Sequence, residues 1–145
     1  RQVKSPRLSV WYGDKSYTYS GLSWPVRPWR PELAEIRQHV EMLAGQAFNG
    51  VLCNLYRDGR DSMGWHSDDE QELGPDPVLA SVVFGARRRF VFRSKAEKAQ
   101  KQEVSLGNGD ILIMGAGTQS NWSHAVPKTS KPIGPRINLT FRWIV

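Results

Sequence analysis

The sequence is short of cysteine, of histidine and of long apolar runs, and each shortage narrows what the chain can be. One cysteine, Cys53, among 145 residues permits no internal disulfide. Its place inside an apolar run makes it a small core residue rather than a nucleophile, and such usage fits a reducing, intracellular setting. No stretch approaches the roughly 20 apolar residues that cross a bilayer, and no signal-peptide pattern opens the chain. Acidic residues are outnumbered, 14 against 20 Lys and Arg, which leaves a net charge of +6 and a pI of about 9.8. That balance favours a polyanionic partner, above all nucleic acid, although charge alone also fits a basic protein with no such partner. With 39% hydrophobic and 23% charged residues, residues 1–145 read as one globular domain. Six tryptophans are many for this length, enough for some to act as stacking surfaces.

What is there begins with strands. Leu8, Val10 and Tyr12 alternate with Ser9 and Trp11, and Gly13-Asp14-Lys15 makes a turn. Tyr17-Thr18-Tyr19-Ser20 puts two tyrosines on one face, either as cross-strand packing or as a stacking wall for a planar ligand. Residues 31–44 predict a helix that starts on Pro31 and stops at Gly45. Leu33, Ile36, Val40 and Leu43 form its packing stripe, and His39 lies off it in solvent. From Phe48 the chain turns mainly to β. In residues 51–56, Leu52, Asn54 and Tyr56 share one face, and a buried Asn needs partners because an unpaired amide costs about 1–3 kcal/mol. After a polar turn at 57–61 and a loop at 72–77 come a strand at 78–84 and one at 87–93 with a basic face. An exposed hairpin loop at 94–102 and a tight turn at 107–110 follow. A buried strand at 111–114 and strands at 121–126 and 135–145 close the chain. Many short strands with one good helix predict a barrel or jelly roll.

The chemistry gathers at Gly64-Trp65-His66-Ser67-Asp68-Asp69-Glu70. Two residues apart in extended backbone, His66 and Asp68 project from one face. With a third ligand they could hold a metal by one triangular face, the 2-His-1-carboxylate arrangement of non-haem Fe(II) oxygenases. Alone, such a pair is more often a hydrogen-bonded turn than a metal site. His124, near the end of a late strand, can converge on it in a jelly roll; by itself it would be a structural histidine. The last strand alternates Arg136, Asn138, Thr140 and Arg142 with Ile137, Leu139, Phe141 and Trp143. Two inward arginines are costly without an anion, and a dicarboxylate suits guanidinium. At about 3.3 Å per residue their Cα atoms lie roughly 20 Å apart, so both reach one small diacid only through twist and extended side chains. A solvated face would explain the arginines but not Asn138 between them.

Taken together, Asn54-x-Tyr56, the 65–70 motif, Ala80-Ser81-Val82-Val83-Phe84-Gly85, His124 and the Arg136–Arg142 strand resemble the AlkB family of Fe(II)- and 2-oxoglutarate-dependent nucleic-acid dealkylases. The similarity runs from about Pro6 to the end. It implies a mainly β (α+β) double-stranded β-helix, or jelly roll, with one supporting N-terminal helix. It implies Fe(II) on His66, Asp68 and His124, with dioxygen as cosubstrate. It implies 2-oxoglutarate held by Asn54, Tyr56, Arg136, Asn138 and Arg142, with Arg136 on the distal carboxylate and Arg142 at the metal end. Asp69 corresponds to a carboxylate that contacts the damaged base, with His66 packed against that base. Tyr17, Thr18 and Tyr19 fall where the family lines its base pocket, and Arg7 and Trp11 are candidates for the nucleic-acid surface.

The implied activity is oxidative dealkylation of bases such as N1-methyladenine and N3-methylcytosine in DNA, with RNA as a second substrate, releasing an aldehyde. A monomer with no membrane association is expected, in bacterial cytoplasm or in the nucleus of a eukaryote. The N-terminal segment with which family members cover substrate is expected to be missing or reduced. The loop after His124 carries only Lys128 and Lys131 as basic residues, so the preference for single or double strands stays open. Two other readings remain: a 2-oxoglutarate-dependent hydroxylase of a protein or small molecule, and a non-catalytic nucleic-acid-binding jelly roll.

Overall fold

The computed structural model describes residues 5–19 and 21–145, so Ser20 of the tyrosine run lies outside the described residues. The chain passes through β1 (Leu8–Gly13), β2 (Tyr17–Tyr19), β3 (Leu22–Trp24), α1 (Pro31–Ala44), β4 (Gly50–Tyr56) and β5 (Met63–His66). A 3-10 turn (Gln71–Leu73) leads to β6 (Leu79–Gly85), β7 (Arg88–Ser94), β8 (Lys101–Leu106) and β9 (Ile111–Met114). A short helix, α2 (Thr118–Asn121), precedes β10 (Trp122–Val126) and β11 (Arg136–Arg142). The strands form a five-stranded sheet in the order β1-β4-β11-β6-β9, a four-stranded sheet β5-β10-β7-β8 and a small β2-β3 hairpin. Every pairing is antiparallel. This is the two-sheet jelly roll that the strand spacing predicts.

Helix α1 follows from its ends and one stripe. Pro31 occupies the first turn, and Gly45 takes the left-handed conformation at φ 69°, its N–H donating to the Glu41 carbonyl. Leu33, Ile36, Val40 and Ala44 pack with Val51, Ala80, Val82, Leu139 and Phe141 on the outer face of the larger sheet. Leu43, expected in that stripe, is instead 63% exposed. On a helix of 3.6 residues per turn Leu43 lies roughly 80° round from Leu33, whereas Ala44 lies about 20° from it, so Ala44 takes the place. His39 is exposed, as its position off the stripe predicts.

Strand parity then decides what faces the second sheet. With Leu139 and Phe141 turned toward the helix, Arg136, Asn138, Thr140 and Arg142 must point between the sheets, and all four are buried. The same alternation in β4 sends Val51 and Cys53 outward and Leu52, Asn54 and Tyr56 inward. Tyr56, Leu79, Val83, Phe90, Leu106, Met114 and Val126, drawn from both sheets, make the inner core around the polar centre.

Two expectations change. Trp11, proposed for the nucleic-acid surface, is fully buried; its indole N–H donates to the Lys15 carbonyl at 2.9 Å and its ring lies where a Cβ at Gly50 would intrude. Strand β1 therefore buries its Trp11 face. Strand β9, expected to be buried, is the edge of its sheet, with Met114 buried and Ile111 39% exposed. The strand at 87–93 keeps its basic face, with Arg87 and Arg89 exposed and Arg93 half-buried on one side, while Arg88 turns inward with Phe90.

Candidate metal centre and cosubstrate site

Strand β5 ends at His66, directly opposite His124 of β10. That register brings the two imidazole centroids to 4.2 Å. Asp68 follows as the chain leaves the strand, and its backbone N–H donates to Oε1 of buried Gln119 at 2.8 Å. One ligand atom from each of His66, Asp68 and His124 lies within 4.8 Å of the others. Nδ1 of His66 meets the Gly64 carbonyl at 2.8 Å; donating there, it leaves the Nε2 lone pair free to bind a metal. Nε2 of His124 is 3.4 Å from Oδ2 of Asp68, and its ring stacks on Phe90 at 5.2 Å.

The electrostatics suit a cation. Burial works to raise the Asp68 pKa, but the Arg142 guanidinium, donating to Oδ1 at 2.9 Å, and His124 hold it well below the usual carboxylate range. Burial, then the neighbouring His124, lower the His66 pKa to about 4. At neutral pH both groups are already in the form that binds a metal. Two imidazoles and a carboxylate on one side of a cavity are a 2-His-1-carboxylate donor set.

Beside these ligands lies a second polar group. Register pairs Asn138 with Asn54 and Arg136 with Tyr56. Asn54, Tyr56, Asn138, Thr140 and Arg142 line the same cavity as His66, Asp68 and His124. Asn54 accepts from the Ser9 hydroxyl, and the Asn138 amide donates to Thr140 Oγ1 at 2.8 Å. Arg136 sets its guanidinium 5.2 Å from the Tyr56 ring centre and makes one long bond, 3.5 Å, to Asn138. Its Nε and Nη1, with Nε of Arg142, are buried without partners. Unpaired buried guanidinium donors are costly unless an anion fills them. The arginines serve different ends: Arg142 reaches the metal ligand Asp68, and Arg136 lies beside Tyr56.

Among the residues expected at a substrate surface, Tyr19 and Arg7 line this cavity, and Tyr19 meets His66 edge-on at 6.3 Å. Tyr17 does not; it is fully buried, stacked on Trp11 at 4.8 Å with Arg142 5.3 Å from its ring centre, so it supports the site from behind. Thr18 is exposed, its N–H held by Glu72, and Asp69 is exposed beside Asp68. Two buried residues had gone unread. Gln119 sits in a four-residue helix with no periodicity to reveal it. Arg88 was signalled by its i, i+2 relation to Phe90, which fixes both on the inner face.

Residues 2–142 match the family model of the 2OG-Fe(II) oxygenase superfamily. The chain belongs to that superfamily. Among its relatives, alpha-ketoglutarate-dependent dioxygenase alkB homolog 3 of Homo sapiens is 42% identical over 97% of this chain and 52% of its own length. DNA oxidative demethylase ALKBH2 of Homo sapiens is 44% identical over 97% of this chain and 57% of its own length. The solved structure of OsALKBH1 superposes with a TM-score of 0.59 at 21% identity, over 83% of this chain and 66% of that one, and supports the fold. The oxygenase chain spans about half the length of the curated relatives it matches. Membership implies Fe(II), 2-oxoglutarate and dioxygen. The residues fit this demand: a ready donor set for the metal, and unpartnered buried guanidinium donors for a diacid. Free space in the cavity is about 20 Å³, so a diacid enters only with side-chain movement.

Proposed function

We propose that this chain oxidatively dealkylates N-alkylated bases in DNA, with RNA as a second substrate, inside the cell. The observation that carries the reading is the shared cavity: three convergent ligands on one side, Asn54, Tyr56, Asn138 and Arg142 on the other. The names of the relatives support it, since ALKBH2 is called a DNA oxidative demethylase, and so does the net charge of +6.

In this reading His66, Asp68 and His124 hold Fe(II), and Asn54, Tyr56, Arg136, Asn138 and Arg142 hold 2-oxoglutarate. When bound, the two supply an oxidation by dioxygen that hydroxylates an N-alkyl carbon, which then leaves as an aldehyde. The protein's part is to position and to exclude. Neutral His66 enters the metal site without a proton to lose. Arg142 fixes the orientation of Asp68, and the Gln119 carbonyl holds its backbone. Tyr19 and Arg7 form the wall next to His66 against which a flipped base would stack. Exposed Asp69 is the carboxylate that meets the positive charge of an N-methylated base.

The test is formaldehyde release from oligonucleotides carrying N1-methyladenine or N3-methylcytosine, single- and double-stranded, DNA and RNA, with Fe(II) and 2-oxoglutarate. Turnover on at least one is expected. Bound 2-oxoglutarate with no turnover on any alkylated base, and stimulation by a peptide or metabolite instead, would overturn the reading.

A further inference from the structure

Arg88 is 3% exposed and finds no side-chain acceptor in its hydrogen bonds. Its guanidinium donates to three main-chain carbonyls: Asp58 at 3.3 Å, Asp61 at 2.9 Å and Pro127 at 2.8 Å. The nearby Asp61 carboxylate is already engaged by Arg57. Arg88 thus ties the turn after β4 to the end of β10, the two chain segments that flank the Tyr56 end of the cavity.

The Arg88 guanidinium also lies 5.5 Å from the centre of the Tyr56 ring, the ring that Arg136 approaches at 5.2 Å. The two guanidinium carbons are therefore within about 11 Å of each other, one aromatic ring common to both. The Tyr56 hydroxyl lies 3.8 Å from the Met63 sulfur and beside the Arg136 guanidinium, and its phenol lines the cavity. Behind the cavity-lining Tyr56 ring lie two buried cations, Arg88 and Arg136, the latter with unpartnered Nε and Nη1. The Arg88 charge, held by carbonyl dipoles with the Asp61 and Asp58 carboxylates nearby, still contributes to the potential met by whatever enters at low dielectric.

We propose that Arg88 is a positioning residue for the distal carboxylate of the cosubstrate: it pins Tyr56 in place and adds a second positive charge that makes the pocket select a diacid over a monoacid. This rests on the assignment of 2-oxoglutarate to the cavity, and it concerns binding, so it stands or falls independently of the nucleic-acid substrate. No contact between Arg88 and the cosubstrate is required; the effect travels through Tyr56 and through the potential.

The experiment compares two ligands on the Mn(II)-loaded protein without dioxygen. 2-Oxoglutarate and 2-oxopentanoate differ only in the distal carboxylate, and their dissociation constants are measured by calorimetry for wild type, Arg88→Met, Arg88→Gln and Arg88→Lys. Mn(II) affinity and melting temperature are followed in parallel. The ratio of the two affinities should fall about tenfold in Arg88→Met and Arg88→Gln and less than threefold in Arg88→Lys, which keeps the charge, with Mn(II) binding changed less than twofold. If Arg88→Met does not fold, Arg88→Gln, which retains donors for the carbonyls, gives the same reading. A ratio that stays constant while both ligands weaken together overturns the proposal, as does an equal fall in Arg88→Lys and Arg88→Gln; either makes Arg88 a purely structural tie.

Discussion

Asp68 is fully enclosed, with Oδ1 on Arg142, Oδ2 facing His124 and its backbone N–H on Gln119. Removing one member of such a buried pair strands the other, a loss of about 3–5 kcal/mol. Arg142→Met should therefore lower the stability of the metal-free protein by that order, and saturating Mn(II) should recover part of it by neutralising Asp68; chemical denaturation with and without Mn(II) reads both. Gln119→Leu removes the acceptor of the Asp68 N–H, along with a weak donor to the Met114 sulfur, and should cost about 1–3 kcal/mol, together with weaker Mn(II) binding. The pH dependence follows from His66. Its pKa is lowered from 6.5 to about 4 in the fold, so below pH 6.5 the unfolded chain takes up a proton that the folded chain refuses. Stability of the metal-free protein must then fall as pH drops from 6.5 toward 4. In His66→Gln this part of the slope should vanish, and melting temperature against pH decides it. Below that window Asp68, whose pKa is also depressed, should keep the slope in both proteins.

At the scale of elements, β11 carries the design, since its two faces serve different partners. Phe141 on the outer face is fully buried, 6.3 Å from Trp29 and 6.2 Å from Phe48. Truncation to Ala should cost about 3–5 kcal/mol, with the affinity of the refolded protein for Mn(II) unchanged, because the inner face keeps Asn138, Thr140 and Arg142; denaturant titration and metal titration separate the two. This strand and α1 could be read from sequence because each has a single strong period. The short helix α2 could not: it has four residues, starts after Gly117 at φ 86° and exists because the chain must turn into β10. The inward turn of Arg88 is hard to read for a related reason. A run of three arginines looks like a solvated face, yet period-two alternation with Phe90 forces the middle one inward.

For the whole molecule the basic balance becomes a surface property. Arg87, Arg89, Lys128 and Lys131 border one groove beside the smaller sheet. If the substrate is nucleic acid, oligonucleotide affinity should fall at least about tenfold between 50 and 200 mM salt, as several phosphate contacts require. 2-Oxoglutarate binding, held inside the fold, should change much less; fluorescence anisotropy and calorimetry at the two salt concentrations make the comparison.

The sequence by itself determined the alternations, and with them the jelly roll, the inward polar faces of β4 and β11, and the identity of His66, Asp68 and His124 as candidate ligands. These are local matters: strand period, turn chemistry and residue type act over a few positions. Only the tertiary structure decided what each polar group meets. It buried Trp11 and Tyr17 behind the site, set Arg142 on Asp68, placed Gln119 under the Asp68 backbone and brought Arg88 to the ring that Arg136 also approaches. The Arg142 and Gln119 contacts to Asp68 join residues 74 and 51 positions apart, and no pattern along the chain encodes a distance that packing alone creates.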